Sequence, residues 1–452
     1  MVFIFGEGVL IYCAVAIASF FLLEEGIALL DLMGLIWRKV LLVAIITQAS
    51  LYFNDLYNMK TSENIVDLAT RLIQAIGITS IVLAILYIIF PDVIIGKWIF
   101  FISIIFLLLF LVSWRFIYAI VIRKKLFAEK AILLGSGELA RDILLEMLEN
   151  KDVSYDIRLI VGHHKEASAP MQIDRIPVKY GFDDLCEMAE KEQVSSLIVA
   201  LDEKRGFLPY RELLACKTKG FSIIDGETFY ERITGKLLVE KINPSWLVYS
   251  DGFVKSRTSR FMKFTVGFIL SGIMLIFLSP LLLLTVIVIK LESKGPALFS
   301  QERVGEFGEI FTLHKFRSMR EDAENETGPV WAEEDDPRIT RVGKIIRKLR
   351  IDELPQLWNV FRGDVSFVGP RPERQFFVEK LKQKVPYYNE RFTVKPGITG
   401  WAQIKYPYGA SEKDALEKLK YDLYYIKNMS LVMDLIIIFH TVKIVLLGRG
   451  SR

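Results

Sequence analysis

The run FTVGFILSGIMLIFLSPLLLLTVIVI occupies residues 264–289 and contains no charged residue. Drawn out as one helix it would reach ~39 Å at ~1.5 Å per residue, enough to cross a bilayer core of ~30 Å. Ser279-Pro280 sits in its middle. Proline removes one helical hydrogen bond and crowds the preceding turn, so a kink or break is expected there. Lys255, Arg257, Arg260 and Lys263 precede the run; Lys290 and Lys294 close it. Cations on both flanks favour two cytoplasmic ends. A span would also put the polar regions before and after it on opposite sides of the membrane. The favoured reading is a re-entrant helix–break–helix that enters and returns.

Outward from that run, the chain divides by composition. It has 452 residues, 52% of them apolar. That is too many for one ordinary soluble core, so two or three domains plus membrane segments are expected. Four more apolar stretches, 8–30, 40–56, 65–90 and 98–122, fill the first quarter. Each is near the ~20 residues that cross a bilayer. Trp37, Tyr52, Tyr57, Trp98 and Trp114 lie near their ends, where amphipathic rings meet lipid headgroups. The opening residues show no basic n-region and no clear cleavage site, and read as a retained membrane segment. Arg123, Lys124 and Lys125, with Lys60 and Arg71, place the N-terminus, the second loop and the rest of the chain in the cytoplasm. Arg38 and Lys39 point the other way. Residues 1–125 are read as a four-helix transmembrane region. The net charge of +4 says little about partners, and no nucleic acid is expected. Cys13, Cys186 and Cys216 are odd in number and widely spaced, so no disulfide scaffold and no metal cluster is expected.

From about residue 127 the pattern changes. Strand-like runs at 130–135, 156–161, 195–201 and 221–224 alternate with helix-like runs at 138–148, 182–192 and 208–219. That order implies a parallel, Rossmann-like sheet over 126–240. Gly135-Ser136-Gly137-x-x-Ala140 follows a strand and opens a helix, the setting of a dinucleotide site. Such a site also needs an acidic residue ending the second strand, to hold a ribose. Here the sequence reads Ile160-Val-Gly-His163-His164-Lys165, so nicotinamide cofactor binding is not expected. The adjacent histidines read as a solvated loop.

Residues 255–452 carry the chemistry. Arg303, Lys315 and Arg317 lie just beyond the broken apolar run. On a strand Lys315 and Arg317 share a face, which suits a diphosphate or lipid phosphate. Further on, Arg347-Lys-x-Arg350-Ile-Asp352-Glu353-Leu-Pro355-Gln356 sets two adjacent carboxylates in what reads as a basic helix. Neighbouring helix positions point about 100° apart, so the two carboxylates serve different roles. One attacks or ligates; the other binds metal or positions the first. Arg347 and Arg350 favour the ionised carboxylates and can hold phosphate. Pro370-Arg371-Pro372-Glu373 stiffens the backbone around a guanidinium, suited to the nucleotide end of a substrate. The last apolar run, 431–447, is broken by Asp434, His440 and Lys443, and reads as an interfacial or packed helix.

Together, Gly295-Pro-Ala with 301–305, Lys315-Phe-Arg-Ser-Met, Asp352-Glu-Leu-Pro-Gln-Leu, Pro370-Arg-Pro-Glu and Lys395-Pro-Gly-Ile-Thr-Gly resemble the bacterial sugar transferase family. These are monotopic polyprenyl-phosphate sugar-1-phosphate transferases. The whole layout is similar to the long members that start exopolysaccharide or O-antigen repeat units. The resemblance implies an α-rich catalytic domain with a re-entrant helix broken at Ser279-Pro280. It implies a UDP-sugar donor, a polyprenyl (undecaprenyl) phosphate acceptor and a multi-pass protein of the bacterial inner membrane whose site faces the cytoplasm. Asp352 would be the nucleophile and Glu353 its assistant, with Mg2+ held by the pair. Arg303, Lys315, Arg317, Arg347 and Arg350 would neutralise phosphate. Arg371 and Glu373 would touch the nucleotide. The sugar is not named by the sequence, and the oligomeric state, homo-oligomer included, stays open.

Other classes fit less well. An inverting glycosyltransferase, moving sugar without phosphate, would need an Asp-x-Asp nucleotide motif in another fold. A CDP-alcohol phosphotransferase would repeat aspartates across transmembrane helices. A non-catalytic scaffold has no use for Asp352-Glu353 among cations.

Overall fold

The structure is a computed structural model. It describes residues 2–22, 29–57, 65–94, 97–123, 128–149, 155–162, 176–203, 207–241, 252–320, 336, 338–406, 409 and 411–446. Lys60, Lys124, Lys125, His163 and His164 lie outside the described residues. The chain packs as two compact units, Met1–Phe229 and Tyr230–Arg452.

The first unit opens with four apolar helices: α1 (Val2–Leu22), α2 (Leu29–Phe53), α3 (Ile65–Ile89) and α4 (Lys97–Arg123). The first begins earlier than the expected 8–30. Ile11, Ala14, Leu51, Leu72, Ala75 and Leu111 meet between them. Small residues there let the backbones approach closely. Among the described residues, two helical stretches are long and apolar enough to cross a membrane: Leu68–Ile89 and Arg257–Glu292.

A five-stranded parallel sheet follows: β1 (Glu129–Leu134), β2 (Tyr155–Gly162), β3 (Val178–Tyr180), β4 (Ser196–Val199) and β5 (Ser222–Asp225). Its order is β3-β2-β1-β4-β5. Interleaved are α5 (Glu138–Glu149), α6 (Leu185–Lys191) and α7 (Tyr210–Thr218), with α8 (Gly226–Thr234) next. The inner strands are continuous apolar runs, as a sheet covered on both faces requires. β3 is too short for the sequence pattern to reveal. Contrary to the expectation from cysteine spacing, Cys186 on α6 and Cys216 on α7 are joined as a disulfide, their Cα atoms 5.3 Å apart. The 30-residue separation hides the pairing; the two helices bring the thiols together.

The second unit is built on α9 (Arg257–Glu292). Its N-terminus is capped by the Ser256 hydroxyl, which accepts from Ser259 N at 3.1 Å. The helical backbone is continuous across Pro280, so the expected break is absent as a break. The reason lies in one bond. Pro280 has no N–H for the carbonyl of Ile276, four residues back. The Ser279 hydroxyl donates to that carbonyl at 2.8 Å. Most of α9 is bare and apolar, with Ile276, Phe277, Leu283 and Leu291 exposed.

After α9 come the antiparallel ribbon β6 (Leu298–Val304) and β7 (Ile310–Phe316), then α10 (Arg341–Lys348), α11 (Gln356–Arg362) and β8 (Ser366–Val368). α12 (Gln375–Lys384), β9 (Gly397–Thr399), α13 (Trp401–Lys405), α14 (Glu412–Asn428) and α15 (Leu431–Leu446) complete the unit. β8 and β9 pair in parallel. Gly267 and Gly272 let α9 approach Val360 and Phe361 of α11, and Phe268 stacks on Phe361 with ring centroids 4.5 Å apart. A core of Val368, Leu381, Tyr388, Phe392, Leu419, Leu423, Tyr425 and Ile437 holds the C-terminal helices. α15 is packed on one side through Ile437 and buried Asp434, which pairs with Lys263 of α9 at 2.9 Å. Val432, Leu435 and Phe439 on it stay exposed.

Candidate active site

The two carboxylates do not sit inside a helix, as the sequence suggested. α10 stops at Lys348, and Arg350 adopts a left-handed backbone, φ 57°. Ile351–Glu353 then form a single 3-10 turn before α11. A non-glycine residue held left-handed costs about 1–3 kcal/mol, and such strain gathers at functional sites. Within this turn Asp352 and Glu353 meet different neighbours.

Glu353 is the hub. Lys315 Nζ, from β7, donates to its Oε1 at 3.2 Å. Arg371 Nη2 donates to the same oxygen at 3.0 Å, and Arg350 Nη1 reaches Oε2 at 3.5 Å. Burial pushes this carboxyl up, but Lys315, Arg371 and Arg350 outweigh burial and hold it below the usual carboxylate range. Burial lowers the Lys315 ammonium, and Glu353 opposes that.

Asp352 is buried, with 9% of its surface exposed. Burial first, then the neighbouring Glu353 charge, push its carboxyl up to about 6; Lys315, Arg347 and Arg350 only partly offset them. It accepts no hydrogen bond among the described residues. The site therefore holds one fully compensated carboxylate beside one under-compensated carboxylate. The second is still mostly ionised at neutral pH and more basic than an ordinary aspartate.

The other sequence-chosen cations are used differently. Arg303 donates to Gln301 Oε1 at 2.6 Å and to Pro372 O at 3.1 Å, and lies 3.8 Å from Glu373. It braces the Pro370–Glu373 loop. Arg317 is buried, and donates to Lys294 O at 2.8 Å and to Ser293 O at 3.0 Å. It closes the end of α9 rather than facing the carboxylates. Arg391 and Asp422 escaped the sequence reading. Arg391 Nη2 donates to Arg371 O at 3.1 Å and to buried Asp422 at 2.9 Å. Nothing in the run around Arg391 marks it as a support for Arg371. A small pocket beside this cluster is lined by Arg303, Lys315, Gln356 and Arg371, with Leu313 and Ile398 as its apolar wall. Cationic, part-apolar and close to two unlike carboxylates, it suits a phosphorylated substrate.

Such a site, a cationic pocket in the unit that carries a long apolar helix, suits a phosphate-handling class of protein. The sequence signature of the bacterial sugar transferase family matches residues 258–448, and that of a CoA-binding domain matches 52–205. The chain is 43% identical over 176 residues to the exopolysaccharide production protein PSS of Rhizobium leguminosarum bv. phaseoli, covering 37% of this chain and 86% of that one. It is 40% identical over 242 residues to the UDP-N-acetylgalactosamine-undecaprenyl-phosphate N-acetylgalactosaminephosphotransferase of Aeromonas hydrophila, covering 54% and 56%. A third relative, the UDP-glucose:undecaprenyl-phosphate glucose-1-phosphate transferase of Escherichia coli K12, is 41% identical over 191 residues, covering 41% and 40%. The match thus spans about half the length of the Aeromonas protein. The chain belongs to the bacterial sugar transferase family.

Two groups can be tested against these residues. Among the described residues no three His, Cys, Asp or Glu side chains converge on one point. A metal would have Asp352 and Glu353 alone from the protein. That suits Mg2+, which keeps its waters and substrate oxygens around one or two carboxylates, and the under-compensated Asp352 has room for such a charge. Coenzyme A does not fit. In this sheet the strand order reverses between β1 and β4, the crevice where phosphates bind. The amides that would receive them, Glu138 N and Leu139 N, already donate to the Asp202 carboxylate at 2.7 and 2.9 Å. A Cβ on Gly135 would strike the Ala200 carbonyl, and one on Gly137 would strike Asp202. These glycines serve close packing within the chain.

Proposed function

We propose that the protein is a membrane-associated polyprenyl-phosphate sugar-1-phosphate transferase. It takes a UDP-sugar and undecaprenyl phosphate and starts an exopolysaccharide or O-antigen repeat unit. The observation that carries this reading is the Asp352-Glu353 turn, with Lys315, Arg350 and Arg371 gathered on Glu353.

Asp352 attacks the sugar-bearing phosphorus of the donor. The bond from that phosphorus to the bridging oxygen breaks, and uridine monophosphate leaves with the electron pair. An aspartyl phospho-sugar remains. An oxygen of the lipid phosphate then attacks the same phosphorus, frees the Asp352 carboxylate and gives a polyprenyl diphosphate sugar. Glu353 keeps Lys315 and Arg371 aimed at the pocket, where they meet the phosphoryl oxygens. Arg350 and Arg347 lower the cost of charge around Asp352. Mg2+, held by Asp352 and Glu353, would supply charge neutralisation to those oxygens. α9, unbroken at Pro280, would lie bent in the cytoplasmic leaflet as a re-entrant segment, bringing the site to the level of the lipid phosphate.

The test is a panel of UDP-sugars with undecaprenyl phosphate in detergent or nanodiscs. Release of the monophosphate is expected. Release of the diphosphate would show sugar moved without phosphate and overturn the proposal.

A further inference from the structure

Lys315 meets Glu353 only while β7 keeps its register against the turn that carries the carboxylates. β7 belongs to a two-stranded ribbon, so one of its edges has no strand beside it. On that edge stands the side chain of Asn359, from α11. Its Nδ2 donates to Thr312 O at 2.7 Å, and its Oδ1 accepts from His314 N at 3.1 Å. Nδ2 also reaches Asp364 Oδ2 at 3.3 Å. The residue is fully buried, at 0% exposure.

A carboxamide presents a donor and an acceptor side by side. That is what a peptide group of a neighbouring strand would offer to the same edge. Asn359 therefore stands where a third strand would pair. The two bonded positions on β7, 312 and 314, end one residue before Lys315. The two anchoring positions on the other side, 353 and 359, belong to one short stretch. A slip of β7 by one residue would move Lys315 ~3.3 Å along the strand and turn it to the opposite face.

Resting on the function proposed above, we propose that Asn359 is a positioning residue: it locks the register of β7 so that Lys315 is held at Glu353 for phosphoryl transfer. It touches no substrate and acts through Lys315. Its burial alone would suit a merely structural asparagine. The distinction is that a structural role costs stability wherever Lys315 is, whereas positioning is lost once Lys315 is gone.

The experiment is a double-variant cycle in the full-length protein in nanodiscs. Monophosphate release is measured without acceptor, and kcat and KM are measured with undecaprenyl phosphate. The variants are Asn359→Ala, Lys315→Met and the pair. Asn359→Leu repeats the cycle with the core filled, should the alanine variant not fold; folding is read from the melting curve. Displacing a reacting group by ~1 Å can cost on the order of a hundredfold, so the single Asn359 variants should lose about that in kcat, with KM for the lipid little changed. Residues acting through one contact are non-additive. The double variant should therefore be no slower than Lys315→Met alone. Losses that multiply in the pair, or a folded Asn359→Leu protein with full kcat, would overturn the brace alone. Full turnover by Lys315→Met would instead overturn the site reading, and the brace with it.

Discussion

Lys315 Nζ and Arg371 Nη2 converge on one oxygen of Glu353, at 3.2 and 3.0 Å. One carboxylate thus gathers two cations beside Asp352. Replacing Glu353 with Gln removes that anion and leaves like charges facing across a buried space. Glu353→Gln should lower monophosphate release by at least about a hundredfold, an effect of the size seen when preorganised charge is lost. Rates within a fewfold of the parent would show that the hub is dispensable.

Asp352→Asn keeps the shape and removes the attacking oxygen's charge. The protein should fold, shown by an unchanged melting curve, and turn over at background. Incubated with donor alone, the parent should gain the mass of a phospho-sugar on Asp352. A variant with near-normal activity, or no adduct on the parent, would remove Asp352 as nucleophile.

The pH dependence has a definite sign. The Asp352 carboxyl is raised, to about 6, so it protonates as pH falls through that value. The acid limb of the donor half-reaction should lie near pH 6 at limiting Mg2+. A cation beside the carboxylate favours the charged form, so saturating Mg2+ should carry the limb to lower pH. Excess chelator should stop the reaction and Mg2+ restore it. Full activity in chelator would exclude the metal.

Because Asp202 occupies the amides at the start of α5, coenzyme A and nicotinamide dinucleotides should leave the melting temperature unchanged. Gly137→Ala should destabilise the protein without changing kcat of the folded fraction. Loss of catalysis together with loss of a bound nucleotide would show a functional cofactor site.

The Cys186–Cys216 bridge bears on compartment. Cytosolic thiols are kept reduced, so alkylation of both cysteines in protein isolated under trapping conditions would place this domain in the cytoplasm. A trapped disulfide would place this domain in an oxidising space. Cysteine labelling across α9 gives the complementary answer. Val254 is exposed and Lys294 is exposed, and neither side chain caps the helix. Both should react from the cytoplasmic side. Reaction of one from each side would make α9 a span.

The parallel sheet was legible because its strands are apolar runs bounded by turns and alternate with helices along the chain. Lys315, Asp352, Glu353 and Arg371 stand out in the sequence, and the fold brings Lys315 and Arg371 to Glu353. What stayed hidden is how arginines are shared out. Arg303 and Arg317 read the same as Lys315 in sequence, yet one holds a loop and the other a helix end. Carbonyl acceptors carry no side-chain signature, so such assignments wait on the fold. At Pro280 the helix continues unbroken, and the Ser279 hydroxyl donates to the carbonyl that the proline leaves without an N–H.

Arg317, two residues after Lys315, ties the residues that follow α9, Ser293 and Lys294, to the end of β7. Were α9 seated in lipid as proposed, the Lys315 ammonium would be held at one altitude above the hydrocarbon. Acceptors would then be sorted by how high their phosphate rides, with the length of the tail beneath it a minor matter. Thickening or thinning the bilayer should retune acceptor use while every reacting atom stays the same.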